Sequence, residues 1–160
     1  MAVSLRDFGE EDLPLLYDWA ARIDSSQFMS RIMPVGGSFA EVRDRALVWS
    51  VILEDGVDMG VIWLERSVQP DKAVLGILLA DTDHFGHGIG GEAIHLAVEQ
   101  LERTTDTVAV TLNVRESNGR AIACYEKCGF RVVASGEKCK PGAEFKYVTM
   151  ERDLTRGKAT

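Results

Sequence analysis

The spacing of apolar residues changes several times along the chain, and each change marks an element. Val3 to Phe8 alternates apolar and polar positions and reads as a short strand. Glu10, Glu11 and Asp12 then mark a helix start, with Pro14 tolerated in the first turn. Leu13, Leu16 and Ala20 recur at helical spacing and give that helix a buried face. Ser25 to Gly37, broken by Pro34, Gly36 and Gly37, reads as a loop, and Phe39 to Arg45 as a second short helix. Leu47 to Leu53 and Gly60 to Leu64 are β-rich runs around Asp55-Gly56, a hairpin signal. Ala73 to Ala80 adds a third strand to that meander.

The period then shifts. A glycine-rich stretch from His84 to Gly91 opens a helix whose apolar face is Ile94, Ala97, Val98 and Leu101. Val108 to Val114 alternates as a strand, Ser117 to Lys127 reads as a helix, and Gly129 can end it. Phe130 to Ala134 and Phe145 to Arg152 read as two last strands joined through Pro141-Gly142. The expected fold is a mixed α/β domain over residues 1–154 with a frayed polar tail at 155–160. A strand-loop-helix-strand crossover in the middle requires one parallel strand pair.

Composition narrows the function classes. The chain has 160 residues, 46% of them hydrophobic, and no long uninterrupted apolar run, so no membrane span is expected. Met1 to Phe8 lacks the pattern of a signal peptide, which places the expected location in the cytoplasm. A formal net charge of −7 argues against a nucleic-acid partner and suits a cationic one. Cys124, Cys128 and Cys139 make an odd count, and the i, i+4 pair Cys124 and Cys128 reads as two core thiols. His84, His87 and His95 lack the carboxylate or cysteine that would complete a metal site, so no metal is expected. Trp19, Trp49 and Trp63 read as core residues or as the wall of an acceptor pocket.

The chemistry concentrates in His84-Phe85-Gly86-His87-Gly88-Ile89-Gly90-Gly91. The first N–H groups of a helix have no internal partner, and glycines let them approach phosphate oxygens closely. The spacing lacks the Gly-Lys-Ser/Thr ending of a nucleotide P-loop; Gly86, Gly88 and Gly91 do fall at Gly-x-Gly-x-x-Gly spacing, but no strand-helix-strand alternation surrounds them on both sides, as a doubly wound dinucleotide fold needs. Taken alone, the stretch is as well explained by a close-packing turn.

A second motif follows in Leu112-Asn113-Val114-Arg115-Glu116-Ser117-Asn118 and Arg120-Ala121-Ile122-Ala123-Cys124-Tyr125-Glu126-Lys127-Cys128-Gly129-Phe130. Together with the glycine loop it resembles the Gcn5-related N-acetyltransferase (GNAT) superfamily, over Ala73 to Phe130. Glu92-Ala93 and the string around Ser117-Asn118 resemble the ribosomal-protein N-terminal acetyltransferase branch. The resemblance implies a mixed, mostly antiparallel sheet flanked by helices, with a splayed central parallel pair. It also implies acetyl-CoA as cosubstrate, an amine acceptor that is a small molecule or a protein N-terminus, and a homodimer as a common state.

By the same resemblance, the pantetheine arm would lie along Leu78, Leu79 and Ala80. The N–H groups of Phe85, Gly86, His87, Gly88, Ile89, Gly90 and Gly91 would hold the pyrophosphate. Asn118 would reach the pantetheine or phosphate region. Tyr125 would protonate the leaving sulfur as general acid, and a backbone N–H near Leu79 would meet the oxyanion. Two departures stand out. Phe85 occupies a position that often carries Gln or Arg, for which His87 or Arg120 are candidate substitutes. Asn113 stands where similar enzymes carry a glutamate base; it can hold a water but not take a proton. Glu65, Asp81 and Glu116 are the alternative bases. A non-catalytic CoA-binding module is the competing reading.

Overall fold

The computed structural model describes residues 2–22, 32–34, 37–80, 88–140 and 143–154. Seven strands form one sheet in the order β1-β2-β3-β4-β5-β7-β6. They are β1 (Val3–Asp7), β2 (Ala46–Glu54), β3 (Val57–Arg66), β4 (Lys72–Leu79), β5 (Ala109–Arg115), β6 (Arg131–Lys140) and β7 (Ala143–Asp153). The helices are α1 (Leu13–Arg22), preceded by a 3-10 turn at Glu10–Asp12, then α2 (Phe39–Arg45), α3 (Ile89–Thr104) and α4 (Gly119–Lys127). Every strand pair is antiparallel except β4 with β5, which the α3 crossover makes parallel.

The expected strands and helices are all present, and one detail, the length of β6, differs. The hairpin turn is the Asp55-Gly56 pair, with φ of 50° and 83°, the left-handed geometry such turns need. β6 runs on to Lys140, six residues past the expected end at Ala134, paired with β7 as far as Ala143. Ser135 to Cys139 are mostly exposed on this edge strand, so no buried face imposed an alternation to read.

The sheet is covered on both faces. One core joins Ile62, Leu64, Leu75, Leu79, Leu112 and Met150 of the strands to Ile94, Ala97, Val98 and Leu101 of α3. The other joins Phe8, Trp49, Val61, Trp63 and Leu78 to Leu16 and Trp19 of α1 and Val42 of α2. Strand alternation assigns each residue its side: Leu75, Ile77 and Leu79 face α3, while Gly76 and Leu78 face the other way. Trp63 is paired with Gly76 and its ring fills the space a Cβ would occupy there. No helix among the described residues is long and apolar enough to cross a membrane.

Candidate active site

The parallel pair is short. β4 and β5 are in register only from Lys72 with Ala109 to Val74 with Thr111. Both strands continue, β4 to Leu79 and β5 to Arg115, without further pairing to each other. Beyond Val74 and Thr111 the sheet is therefore open along one seam, as the resemblance implied. A strand edge so exposed offers main-chain groups to an extended ligand.

Behind that seam, on the α3 side, lies a cavity of about 710 Å³. Ile77 and Leu79 of β4, Gly90 and Gly91 of α3, and Cys124 and Tyr125 of α4 form its wall. α3 begins at Gly88, whose φ of 85° is left-handed and so suits glycine. The first bond of the helix is Glu92 N–H to the Gly88 carbonyl at 3.0 Å. The N–H groups of Ile89, Gly90 and Gly91 thus precede the ladder at the positive end of a 16-residue helix. A Cβ on Gly90 would point among Cys124, Leu79 and Ile77 at 3.8–4.0 Å, into the cavity wall.

The wall also carries basic side chains. Arg120 and Lys127 of α4 and Arg152 of β7 stand there with one carboxylate, Glu92, among the described lining residues. Charge of that sign, in a chain of net charge −7, is what a phosphorylated ligand requires. The lining mixes strand residues with an open main-chain edge, a helix N-terminus and basic side chains, which fits coenzyme A: an amide-bearing arm carrying phosphates. Arg152 and Lys127 were not legible as site residues in the sequence. Arg152 reaches the cavity only because β7 inserts beside β5, some sixty residues after the glycine loop.

α4 turns its inner face to this cavity. Asn118 caps the helix, its Oδ1 accepting from Ala121 N–H at 3.3 Å. Gly129, at φ 91°, ends it. Tyr125 packs edge-on against Phe130, with ring centroids 5.9 Å apart. Burial, and then the neighbouring thiols Cys124 and Cys128, hold the Tyr125 phenol above its ordinary range, so it keeps its proton at neutral pH. The thiols are free and half-buried, and a side-chain hydrogen bond between them lowers Cys124 and raises Cys128. Cys128 Sγ also lies 3.9 Å from the Gly91 carbonyl.

The sequence-derived site divides across the sheet. Leu79, Gly88, Gly90, Gly91 and Tyr125 line the cavity, and Ile89 is buried beneath it. Leu78 and Ala80 pack on the opposite face with Trp63. Asn113 is exposed on that same opposite face, between Leu112 and Val114, and its Oδ1 accepts from the Thr149 hydroxyl at 2.7 Å. Asn118 serves α4 as its cap. Phe85, Gly86 and His87, with His84 and Asp81, lie outside the described residues. Of the other base candidates, Glu65 is buried at the level of Val74, the closed end of the seam, and Glu116 is exposed just past β5. Among the described residues, no group of three or more His, Cys, Asp or Glu could hold a metal.

Comparison with known proteins matches residues 3–131 to a family described as an acetyltransferase (GNAT) domain. The aminoglycoside N(6')-acetyltransferases type 1 of Klebsiella pneumoniae and Serratia marcescens are each 27% identical over 155 residues, covering 81% of this chain and 74% of theirs. Among solved structures, an aminoglycoside acetyltransferase in complex with coenzyme A and kanamycin superposes with a TM-score of 0.74 at 23% identity, covering 99% of both chains. The ribosomal-protein-S18-alanine N-acetyltransferase of Escherichia coli gives 0.69 at 19% identity, over 96% of this chain and 94% of that one. At these identities the structural likeness speaks for the fold.

Proposed function

The chain belongs to the GNAT acetyltransferases, and we propose that, as an acetyl-CoA-dependent N-acetyltransferase, it acts on a primary amine of a small molecule. The observation that carries this is the alignment of three parts on one cavity. They are the open seam of β4, the free N-terminus of α3 and the Tyr125 ring. Acetyl-CoA supplies an activated acetyl thioester. The N–H groups of Ile89, Gly90 and Gly91 hold its pyrophosphate, with Arg120, Lys127 and Arg152 adding charge. The unpaired edge of β4 orients its arm by main-chain hydrogen bonds, as an added strand would. Tyr125 holds the proton that the departing sulfur takes.

Asn113 takes no proton, and its carbonyl oxygen is engaged by Thr149. Water on the exposed face of β5 therefore receives the proton of the attacking amine. The support for a small acceptor comes from the relatives, which are named as aminoglycoside acetyltransferases.

The test is the melting temperature with and without acetyl-CoA, beside Gly90→Glu. A Cβ at Gly90 meets nothing closer than 3.8 Å, so the variant folds while placing a carboxylate in the cavity. Ligand at one hundred times its Kd stabilises the native state by about 2.7 kcal/mol, a rise of roughly 5–10 °C for a chain of this size. The expected rise is present in the wild type and lost in the variant. Release of free thiol on adding amines separates the enzyme from a module that only binds coenzyme A.

A further inference from the structure

Acetyl transfer from coenzyme A to an amine leaves two thiols of the cavity without a task. Cys124 and Cys128 both line it, the first in the last turn of α4 and the second at its C-cap. Each sulfur stands against a glycine in the first turn of α3. A Cβ on Gly90 would lie 3.8 Å from Cys124 Sγ, and one on Gly91 would lie 3.6 Å from Cys128 Sγ. The Cys128 sulfur also approaches the Gly91 carbonyl at 3.9 Å. These two glycines carry N–H groups that precede the hydrogen-bond ladder of α3. A group attached to Cys124 Sγ therefore starts beside that helix N-terminus and extends into the cavity.

The pair is chemically unequal. A hydrogen bond from Cys128 lowers the Cys124 thiol to about 7, outweighing desolvation, and the charge of Lys127 adds to the effect. The same bond holds Cys128 above its ordinary range, so Cys128 keeps its proton and serves as the donor. About half of Cys124 is then thiolate at neutral pH, against a few per cent for an ordinary thiol. The thiolate is the form that exchanges with disulfides. Arg120 and Lys127 of α4 and Arg152 of β7 line the same cavity, with Glu92 and His95 of α3 and the protonated Tyr125. Three basic side chains and a helix N-terminus draw anions to the thiolate.

We infer that Cys124 is a modification site for small anionic disulfides, and that its mixed disulfide and acetyl-CoA exclude each other from the cavity. The exclusion rests on the acetyltransferase reading, which puts the pyrophosphate at Ile89, Gly90 and Gly91. Cys124 Sγ attacks one sulfur of the disulfide. A new S–S bond forms as the old one breaks, and the second half leaves as a thiolate that takes a proton from water. Cys124 is oxidised and the released half is reduced, and a reducing thiol reverses the step. Cys128 is a positioning residue, since its S–H stabilises the attacking thiolate. Cys139 supplies a contrast, because it is exposed on β6 and outside the cavity lining.

The experiment treats the full chain at pH 7 with two disulfides of similar size and opposite charge, dithiodipropionate and cystamine. Each rate is divided by that reagent's rate with mercaptoethanol, and adducts are assigned by peptide mass. At Cys124 the normalised rate should be about tenfold higher for the dianion. Cys128→Ala should slow Cys124 by about five-fold, and Cys128→Ser, which keeps a hydroxyl donor, should recover most of that rate. Acetyl-CoA should raise the melting temperature of the untreated protein and not of the thiolated one, and dithiothreitol should restore the rise. In Cys124→Ala, treatment should leave the acetyl-CoA rise as it was before treatment. Normalised rates no higher for the dianion, or a protein thiolated at Cys124 that still responds to acetyl-CoA, overturn the inference and leave the acetyltransferase reading standing. An untreated protein with no rise overturns that reading instead. The charge selectivity and the Cys128 variants then decide the modification site by themselves: equal rates for both reagents and in both variants remove it.

Discussion

Tyr125 is the residue on which the proposed chemistry turns. Its place on α4 was legible in the sequence, because the Asn118-to-Phe130 motif fixes which helix face carries it. What the sequence could not show is its environment. Burial beside two thiols raises the phenol, and a raised acid remains protonated above its ordinary value of 10. The sign follows directly: activity that needs the protonated phenol is not lost as pH rises through that value. The kcat of the wild type should therefore hold to about pH 10, measured in buffers where the protein stays folded. Tyr125→Phe should lower kcat by about 10²-fold or more with little change in the melting-temperature rise given by acetyl-CoA. A variant with full kcat would assign the proton to another group. Asn113 is the converse case. Its position was singled out, but its partner Thr149, thirty-six residues away in sequence, became visible only through the β5–β7 register.

Among the elements, the entry to α1 shows how a correct local reading can hide a tertiary role. Glu10, Glu11 and Asp12 mark a helix start, as acidic residues at a helix N-terminus commonly do. Asp12 does more. It is buried, accepts two bonds from Arg6 of β1 at 2.9 Å each, and takes the Gly9 N–H at 2.8 Å. Arg6 also reaches Asp58 of β3 at 3.1 Å, so one guanidinium ties the turn before α1 to two strands. The Arg6 hydrogen bond is the largest cause of a lowered Asp12 carboxyl. A carboxyl lower in the folded state adds stability above its unfolded value, about 3.9. That stability is lost as pH falls through the lower folded value. Asp12→Ala should cost about 1.5–3 kcal/mol at neutral pH by urea unfolding. The difference from wild type should shrink toward pH 2, where the wild-type carboxyl is protonated too. An unchanged urea midpoint at pH 7 would show that the tie contributes nothing.

At the scale of the whole molecule, the cavity belongs to no single segment. β4 gives Ile77, α3 gives Gly90, α4 gives Cys124 and β7 gives Arg152. Cys124 offers a chemical probe of that assembly. It lies on the cavity wall with a lowered thiol, so it alkylates readily when the cavity is open. Cys139 is exposed on β6, away from it. Saturating acetyl-CoA should slow alkylation of Cys124 by about tenfold or more, since only the unliganded fraction reacts, and leave Cys139 unaffected. Equal rates at Cys124 with and without the ligand, read by peptide mass, would place the cosubstrate elsewhere.

The sequence by itself determined the element order, the Asp55-Gly56 hairpin, the parallel crossover and that the glycine-rich stretch His84 to Gly91 opens a helix, whose start at Gly88 the structure fixed. These are local properties, set by apolar period, by glycine where φ is positive, and by the chirality of a strand-helix-strand connection. The tertiary structure alone decided which face each residue serves. Insertion of β7 between β5 and β6 brings Arg152 to the cavity and Thr149 to Asn113, and the opening of the β4–β5 seam after three pairs frees the edge of β4 beside the cavity. Those relations depend on strand order and register. Both are set by how two hydrophobic cores pack on opposite faces of one sheet, which no short stretch of the chain contains.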